Sequence, residues 1–168
     1  MRPDWDTHFI YGARWSSEMA TCPRRSVGAV LVKNHRVIST GHNGAAHGQP
    51  HCDSVGCMII DGHCKTAIHA ELNAILHADW KDIGGSTIYI AGAAPCVDCA
   101  KIILQAGIYR VVCDSAIEDY AGSGKEGVEM LQQCGVEVKV VKPDTVSNQH
   151  KPKSNPVDIF KLFKNWDN

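Results

Sequence analysis

No run of about 18 apolar residues occurs anywhere in the chain, so the sequence holds nothing that would cross a bilayer as a helix. The opening residues Met1-Arg2-Pro3-Asp4-Trp5-Asp6 lack the apolar centre of a secretory signal. A cytoplasmic protein with no membrane partner is expected, in the host cytoplasm if the source is a virus. An excess of either charge is also missing: 17 Lys and Arg meet 18 Asp and Glu, a net charge of −1. Proteins that grip tRNA or DNA need a basic surface for many phosphates, so no nucleic-acid partner is expected. A small anion remains open as a ligand, because it needs only a local cluster. No low-complexity linker divides the 168 residues, which suit one domain and one core. Without a signal peptide, the eight cysteines read as metal ligands or core residues rather than disulfides.

The order of elements follows from periodicity. Trp5, Phe9, Ile10 and Ala13 predict an opening helix from Asp4 to about Glu18. Val27–Val32 and Arg36–Thr40 predict a hairpin across Lys33-Asn34-His35. Residues 44–65 form a Cys/His-rich insertion too poor in large aliphatics to pack as core. Ile68, Leu72, Ile75 and Leu76 predict a buried helix from Thr66 to about Ala78. A strand at 86–90, a helix at 97–106, a strand at 108–113, a helix at 124–134 and a strand at 136–141 follow. Cys113 and Cys134, at a strand end and a helix end, are expected as buried small residues. The alternation predicts a layered α/β sheet. A polar stretch leads to a last helix, 156–168, whose Ile159, Phe160, Phe163 and Trp166 form one apolar stripe.

Two short stretches carry the chemistry. His69-Ala70-Glu71 and Pro95-Cys96-Val97-Asp98-Cys99 together offer one imidazole, two thiols and a carboxylate. Three N/S ligands leave a fourth tetrahedral position free, the arrangement of catalytic rather than structural zinc. Cys96 and Cys99 share a helix face at i, i+3, and Pro95 marks the helix start. His69 and Glu71, two residues apart, reach one ion only if their helix points at it end-on. Two helix N-termini would then converge on the metal and favour thiolate over thiol.

This pattern resembles the zinc-dependent deoxycytidylate (dCMP) deaminases of the cytidine deaminase-like superfamily. The resemblance also rests on Ser26-Val27-Gly28-Ala29-Val30, the turn before Gly44, Leu72-Asn73-Ala74-Ile75, and Ala100-Lys101 after the second cysteine. It implies a three-layer α/β/α fold with a five-stranded mixed sheet. It implies hydrolysis of dCMP to dUMP and ammonia, supplying dUMP for dTMP synthesis. Zinc held by His69, Cys96 and Cys99 would activate a water for attack at C4, and Glu71 would shuttle protons to N3 and to the leaving ammonia.

Arg24, Arg25 and Ser26 are the best local donors for a 5′-phosphate; a solvated turn is the alternative. Asn43 is expected to touch sugar or base, with a left-handed turn residue as the alternative, and Ala70 is expected beside the substrate. Tyr120 resembles a family position near the phosphate, against an ordinary exposed tyrosine. A second, structural zinc is expected at four of Cys22, Cys52, Cys57, His63 and Cys64; free cysteines in a lid are the alternative. The family is typically hexameric, activated by dCTP and inhibited by dTTP. Gly41-His42-Asn43-Gly44 is the candidate wall of that effector site, where a triphosphate would bring Mg²⁺, although His42 replaces the family's usual tyrosine. Competing readings are a bifunctional dCMP/dCTP deaminase, a tRNA or polynucleotide deaminase, and a zinc-stabilised interaction module.

Overall fold

Val30 and Val32 point to one side of the first strand and Ala29 and Leu31 to the other, and both sides are buried. A strand covered on both faces reads as a continuous apolar run, as this one does. In a computed structural model, which describes residues 2–114 and 124–142, that strand is β1 (Gly28–Lys33). It pairs antiparallel with β2 (Arg36–His42) and with β7 (Thr87–Ala91). Strands β8 (Arg110–Cys113) and β9 (Glu137–Val140) continue the sheet in parallel, giving the order β2-β1-β7-β8-β9. The expected five-stranded mixed sheet is thus present. The hairpin turn is tighter than predicted: Lys33 pairs with Arg36, and only Asn34 and His35 turn the chain, both with positive φ. That conformation matches the twist of the two strands.

Helix α1 (Trp5–Ser17) lies on one face of the sheet. Asp4 starts it by accepting a hydrogen bond from the Thr7 N–H at 2.7 Å. Phe9, Ile10 and Ala13 pack there against Val30, Val32, Tyr89, Ala91 and Val112. The opposite face carries α3 (Ala70–Leu76), α5 (Val97–Gln105) and α6 (Gly124–Gln133), through Ala74, Ile75, Ile103 and Leu131 on Leu31, Ile88, Ile90 and Val111. Each such fully buried aliphatic contributes about 1.5–3 kcal/mol, so these two layers fix where the helix ends point.

Two expectations change. The helix predicted from Thr66 starts at Ala70, because Ala67–Ile68 is a short strand, β6, paired with β3 (Gly44–Ala45). Its end is followed by a single turn, α4 (Trp80–Ile83), capped by Asp79. The insertion is ordered into one helical turn, α2 (Cys52–Val55), and a small hairpin of β4 (Ile59–Ile60) and β5 (His63–Cys64). Its Ile59 and Ile60 face solvent, in keeping with a segment that has no apolar core. Cys113 is buried as expected, whereas Cys134 is exposed, just past the last turn of α6. Tyr120 and the helix expected at 156–168 lie outside the described residues. Among the described residues, no helix is long and apolar enough to cross a membrane.

Candidate active site

Two helices begin here with residues that do not cap them. His69 is the N-cap of α3 and Cys96 that of α5, both in extended backbone (φ −71°, ψ 151° and φ −70°, ψ 171°), and neither side chain makes a capping hydrogen bond. Ser, Thr, Asp and Asn usually fill this position because their oxygens accept from the free N–H groups. A ring and a thiol leave the helix axis and face each other instead. His69 Nδ1 lies 3.3 Å from Cys99 Sγ and 3.5 Å from Cys96 Sγ. The extended backbone at His69 answers the geometric problem of two residues at i, i+2: His69 sits outside the helix and Glu71 inside its first turn.

The three donor atoms lie within 4.8 Å of one another. Zinc–sulfur bonds of about 2.3 Å and zinc–nitrogen bonds of about 2.0–2.1 Å place tetrahedral ligands roughly 3.4–3.8 Å apart. The donors and their spacing therefore fit a zinc ion with one position left for a small molecule. Proton sharing among them points the same way. A hydrogen bond from Cys99, opposed by burial and helped by His69, lowers the Cys96 thiol to about 4. Its bond to Cys96 raises the His69 imidazole, and donation to Cys96 together with burial raises Cys99. A cation bound by these groups would displace the protons they share. Burial pushes the Glu71 carboxyl above its ordinary value, and the residue is 3% exposed.

A cavity of about 310 Å³ opens beside these groups, lined by His69, Ala70 and Glu71 together with Asn43, Arg24 and Arg25. That is room for one nucleotide-sized ligand. The family model of the cytidine and deoxycytidylate deaminase zinc-binding region matches residues 3–115. The chain belongs to this deaminase family. It is 39% identical to ComE operon protein 2 of Bacillus subtilis, over 85% of this chain and 74% of that protein. It is 38% identical to the deoxycytidylate deaminase of Mycobacterium phage D29, over 66% of this chain and 94% of that protein. The crystal structure of the dCMP deaminase from cyanophage S-TIM5, in complex with dCMP and dUMP, superposes with a TM-score of 0.68 at 31% identity, covering 84% of this chain and 99% of that one. The protein is a zinc-dependent hydrolytic deaminase.

Other expected site residues of the deaminase fall into three groups. The first lines the cavity. Ala70 opens α3, so its N–H has no acceptor within the helix. Asn43 also lines it, but not as a left-handed turn residue, since Asn34, His35 and Asp61 are the described non-glycine residues with positive φ. Its amide brackets the neighbouring loop: Oδ1 accepts from the Val27 N–H and Nδ2 donates to the Arg25 carbonyl, each at 2.8 Å. Arg24 Nη2 donates to the Gly62 carbonyl at 3.0 Å, so one arm of that guanidinium is already engaged.

The second group lies elsewhere. Ser26 does not line the cavity. Gly41 and His42 end strand β2 and Gly44 begins β3, while the Asn43 N–H bonds the Val27 carbonyl. This stretch is strand rather than an open loop of free N–H groups. Gly41 is required for close packing, because a Cβ there would meet the Ala70 carbonyl and the backbone of Ala74.

The third group is a cluster of sulfur. Cys22, Cys57 and Cys64 place their Sγ atoms within 4.8 Å of one another, and Cys52 Sγ lies 3.8 Å from Cys64 Sγ. Donation to Cys52, with burial and donation to Cys64, pushes the Cys57 thiol up to about 12. Burial opposes ionisation of Cys64, but the Ala67 and Thr66 N–H groups and the two thiols outweigh it and lower it to about 7. His63 stands apart from these four and lines the catalytic cavity. Spacing alone gives no sign of that position, nor of Gly62, Ala93 and Ala94 as further lining. The run of small residues before Pro95 was the available signal for the last two.

Proposed function

We propose that the protein hydrolyses dCMP to dUMP and ammonia, feeding dUMP to dTMP synthesis. The observation that carries this reading is the buried Glu71 beside three zinc-fitting donors, in a nucleotide-sized cavity whose rim bears Arg24 and Arg25. A zinc ion at His69, Cys96 and Cys99 supplies the Lewis acidity that makes water nucleophilic near neutral pH. Glu71 accepts one water proton as the oxygen bonds C4, and passes it to ring N3. It then carries the second to the amino group as the C4–N4 bond breaks, releasing ammonia and leaving a C4 carbonyl. Its burial favours the protonated form needed for each delivery. The Ala70 N–H is a donor available to the pyrimidine, and Asn43 keeps the Arg25 backbone against the cavity. The relatives that bear the name deoxycytidylate deaminase support dCMP as the substrate.

A second zinc belongs to the same reading. Cys22, Cys52, Cys57 and Cys64 would hold it in a closed site, replacing a missing apolar core in the insertion. The resemblance to the dCMP deaminases extends this reading to a hexamer activated by dCTP and inhibited by dTTP.

The deciding assay offers zinc-loaded protein dCMP, deoxycytidine, dCTP and a cytosine-containing oligonucleotide, with deamination followed by ultraviolet absorbance. Turnover with preference for dCMP is expected; turnover of the oligonucleotide alone would overturn the reading. In the same assay dCTP should sharpen a sigmoidal dCMP curve and dTTP should shift it to higher concentration. A hyperbolic curve indifferent to both would remove the regulatory claim.

A further inference from the structure

One wall of the catalytic cavity does no chemistry in the reaction above. It joins Cys22, Arg24 and Arg25, from the segment before β1, to Gly62, His63 and Cys64 of the β4–β5 hairpin. Two of these six residues, Cys22 and Cys64, belong to the four-cysteine cluster. Only Pro23 separates Cys22 from Arg24, and His63 is adjacent to Cys64. The cluster therefore grips the two backbones that carry the guanidinium groups and the imidazole. The Arg24–Gly62 hydrogen bond ties them a second time, at 3.0 Å. Thr21 adds two contacts at the far end of the insertion, its carbonyl accepting from the Asp53 N–H and its Oγ1 meeting His51 Nδ1, each at 3.1 Å, whereas Ile59 and Ile60 of the hairpin face solvent. The catalytic residues stand on a different footing, at the ends of α3 and α5, whose Ala74, Ile75, Ala100 and Ile103 sit in the main core.

We propose that His63 is a specificity-determining residue, which with Arg24 and Arg25 forms the donor rim for the phosphate monoester of the substrate, and that the four-cysteine centre holds this rim in place. The inference rests on the reading of the substrate as a nucleoside monophosphate. A phosphate dianion has enough acceptor oxygens for an imidazole N–H and two guanidinium forks at once. The phosphate lies away from the reacting carbon, so its contacts are the same in the ground and transition states. Losing them raises KM and leaves kcat. The centre would then serve selection of the phosphorylated ligand, and α3 and α5 would serve the chemistry.

Titration calorimetry on the zinc-loaded protein tests this with dUMP and deoxyuridine, which have no amino group to lose. The wild type, His63→Ala, His63→Lys and Cys57→Ser are compared, with zinc content, melting temperature and dCMP kinetics measured on each. The preference for dUMP over deoxyuridine should fall about ten-fold or more in His63→Ala, the size of one lost charge-assisted hydrogen bond. His63→Lys should restore most of it, and the loss in dCMP kinetics should lie in KM. Cys57→Ser should lose one equivalent of zinc and show the same fall in preference. An unchanged preference in His63→Ala, or a lower melting temperature that lysine does not rescue, would overturn the assignment. So would a wild type that binds dUMP no better than deoxyuridine. If the wild type binds dUMP but does not deaminate dCMP, the proposed reaction falls, and the His63 comparison still decides the rim. If it deaminates dCMP and His63→Ala keeps the full preference, the rim falls alone.

Discussion

Glu71 does its work because of two neighbours and its depth. His69 stands two residues before it at the helix mouth, Cys99 faces it across the site, and the side chain is almost wholly buried where it lines the cavity. An ionised carboxylate at this depth would be costly without a partner, so burial raises its pKa and suits it to give as well as take a proton. Glu71→Gln keeps the shape and the three ligands while removing the transferable proton. Zinc content should stay at the wild-type level, and turnover should drop by about 100-fold or more, the usual contribution of a positioned acid–base group. Metal analysis and a single-turnover assay on the same sample check both halves. Loss of zinc together with activity would instead make Glu71 a ligand.

Helix packing converts these residues into a site, and two contacts between elements show how. Helix α6 crosses so close to the turn before α5 that a Cβ on Gly127 would meet the Pro95 carbonyl and the backbone of Cys96. Gly127→Val should push α6 or Cys96 aside. Zinc affinity, read by competition with a chromophoric chelator, should weaken by more than the modest loss of melting temperature suggests. On the other face, Asp6 of α1 accepts from Arg110 at 2.7 and 2.9 Å, from Lys139 at 2.7 Å and from the Tyr89 hydroxyl at 3.1 Å. This clasp joins α1 to β7, β8 and β9. The Arg110 hydrogen bonds, opposed by burial and aided by Lys139, hold the Asp6 carboxyl well below its ordinary value of 3.8. A depressed carboxylate stabilises the fold fully above that ordinary value, and its contribution fades as pH falls below it toward the lowered one. Asp6→Asn should therefore cost on the order of 2 kcal/mol at neutral pH. The difference from wild type should shrink below about pH 4, where an unfolded Asp is already protonated. Urea melts of both proteins across pH 3 to 7 check this. Zinc release in acid affects the two alike and drops out of the comparison.

At the scale of the whole chain, the question is how many ions the protein holds. The two clusters are separate in chemistry: His69, Cys96 and Cys99 leave a coordination position, whereas Cys22, Cys52, Cys57 and Cys64 would close one. Two zinc equivalents per chain are expected. Cys52→Ser should lower the count toward one and reduce the melting temperature, while the catalytic ligands stay in place. One equivalent in the intact protein would refute the second centre. The meeting of His69, Cys96 and Cys99 was legible in the sequence, because ligand chemistry is carried by residue type and the spacings in His-Ala-Glu and Pro-Cys-x-x-Cys leave few ways to reach one ion. The sheet was legible too, since strands buried on both faces must read as continuous apolar runs. Other features depended on contacts between residues far apart in the chain. Local periodicity gave no sign that Thr66–Ile68 leaves the helix, because Ile68 fits the helical stripe; its pairing with Gly44 decides it. Nor could spacing separate His63 from the four cysteines, as all five residues are zinc ligands by type. Only folding brought Cys22 across to the insertion and left His63 on the cavity. The same holds for the Asn43 amide, whose bonds to Val27 and Arg25 no local spacing announces. Residue types set which chemistry was available to this chain; tertiary packing set which of those groups meet, because a side chain's partners come from the whole fold and not from its neighbours in sequence.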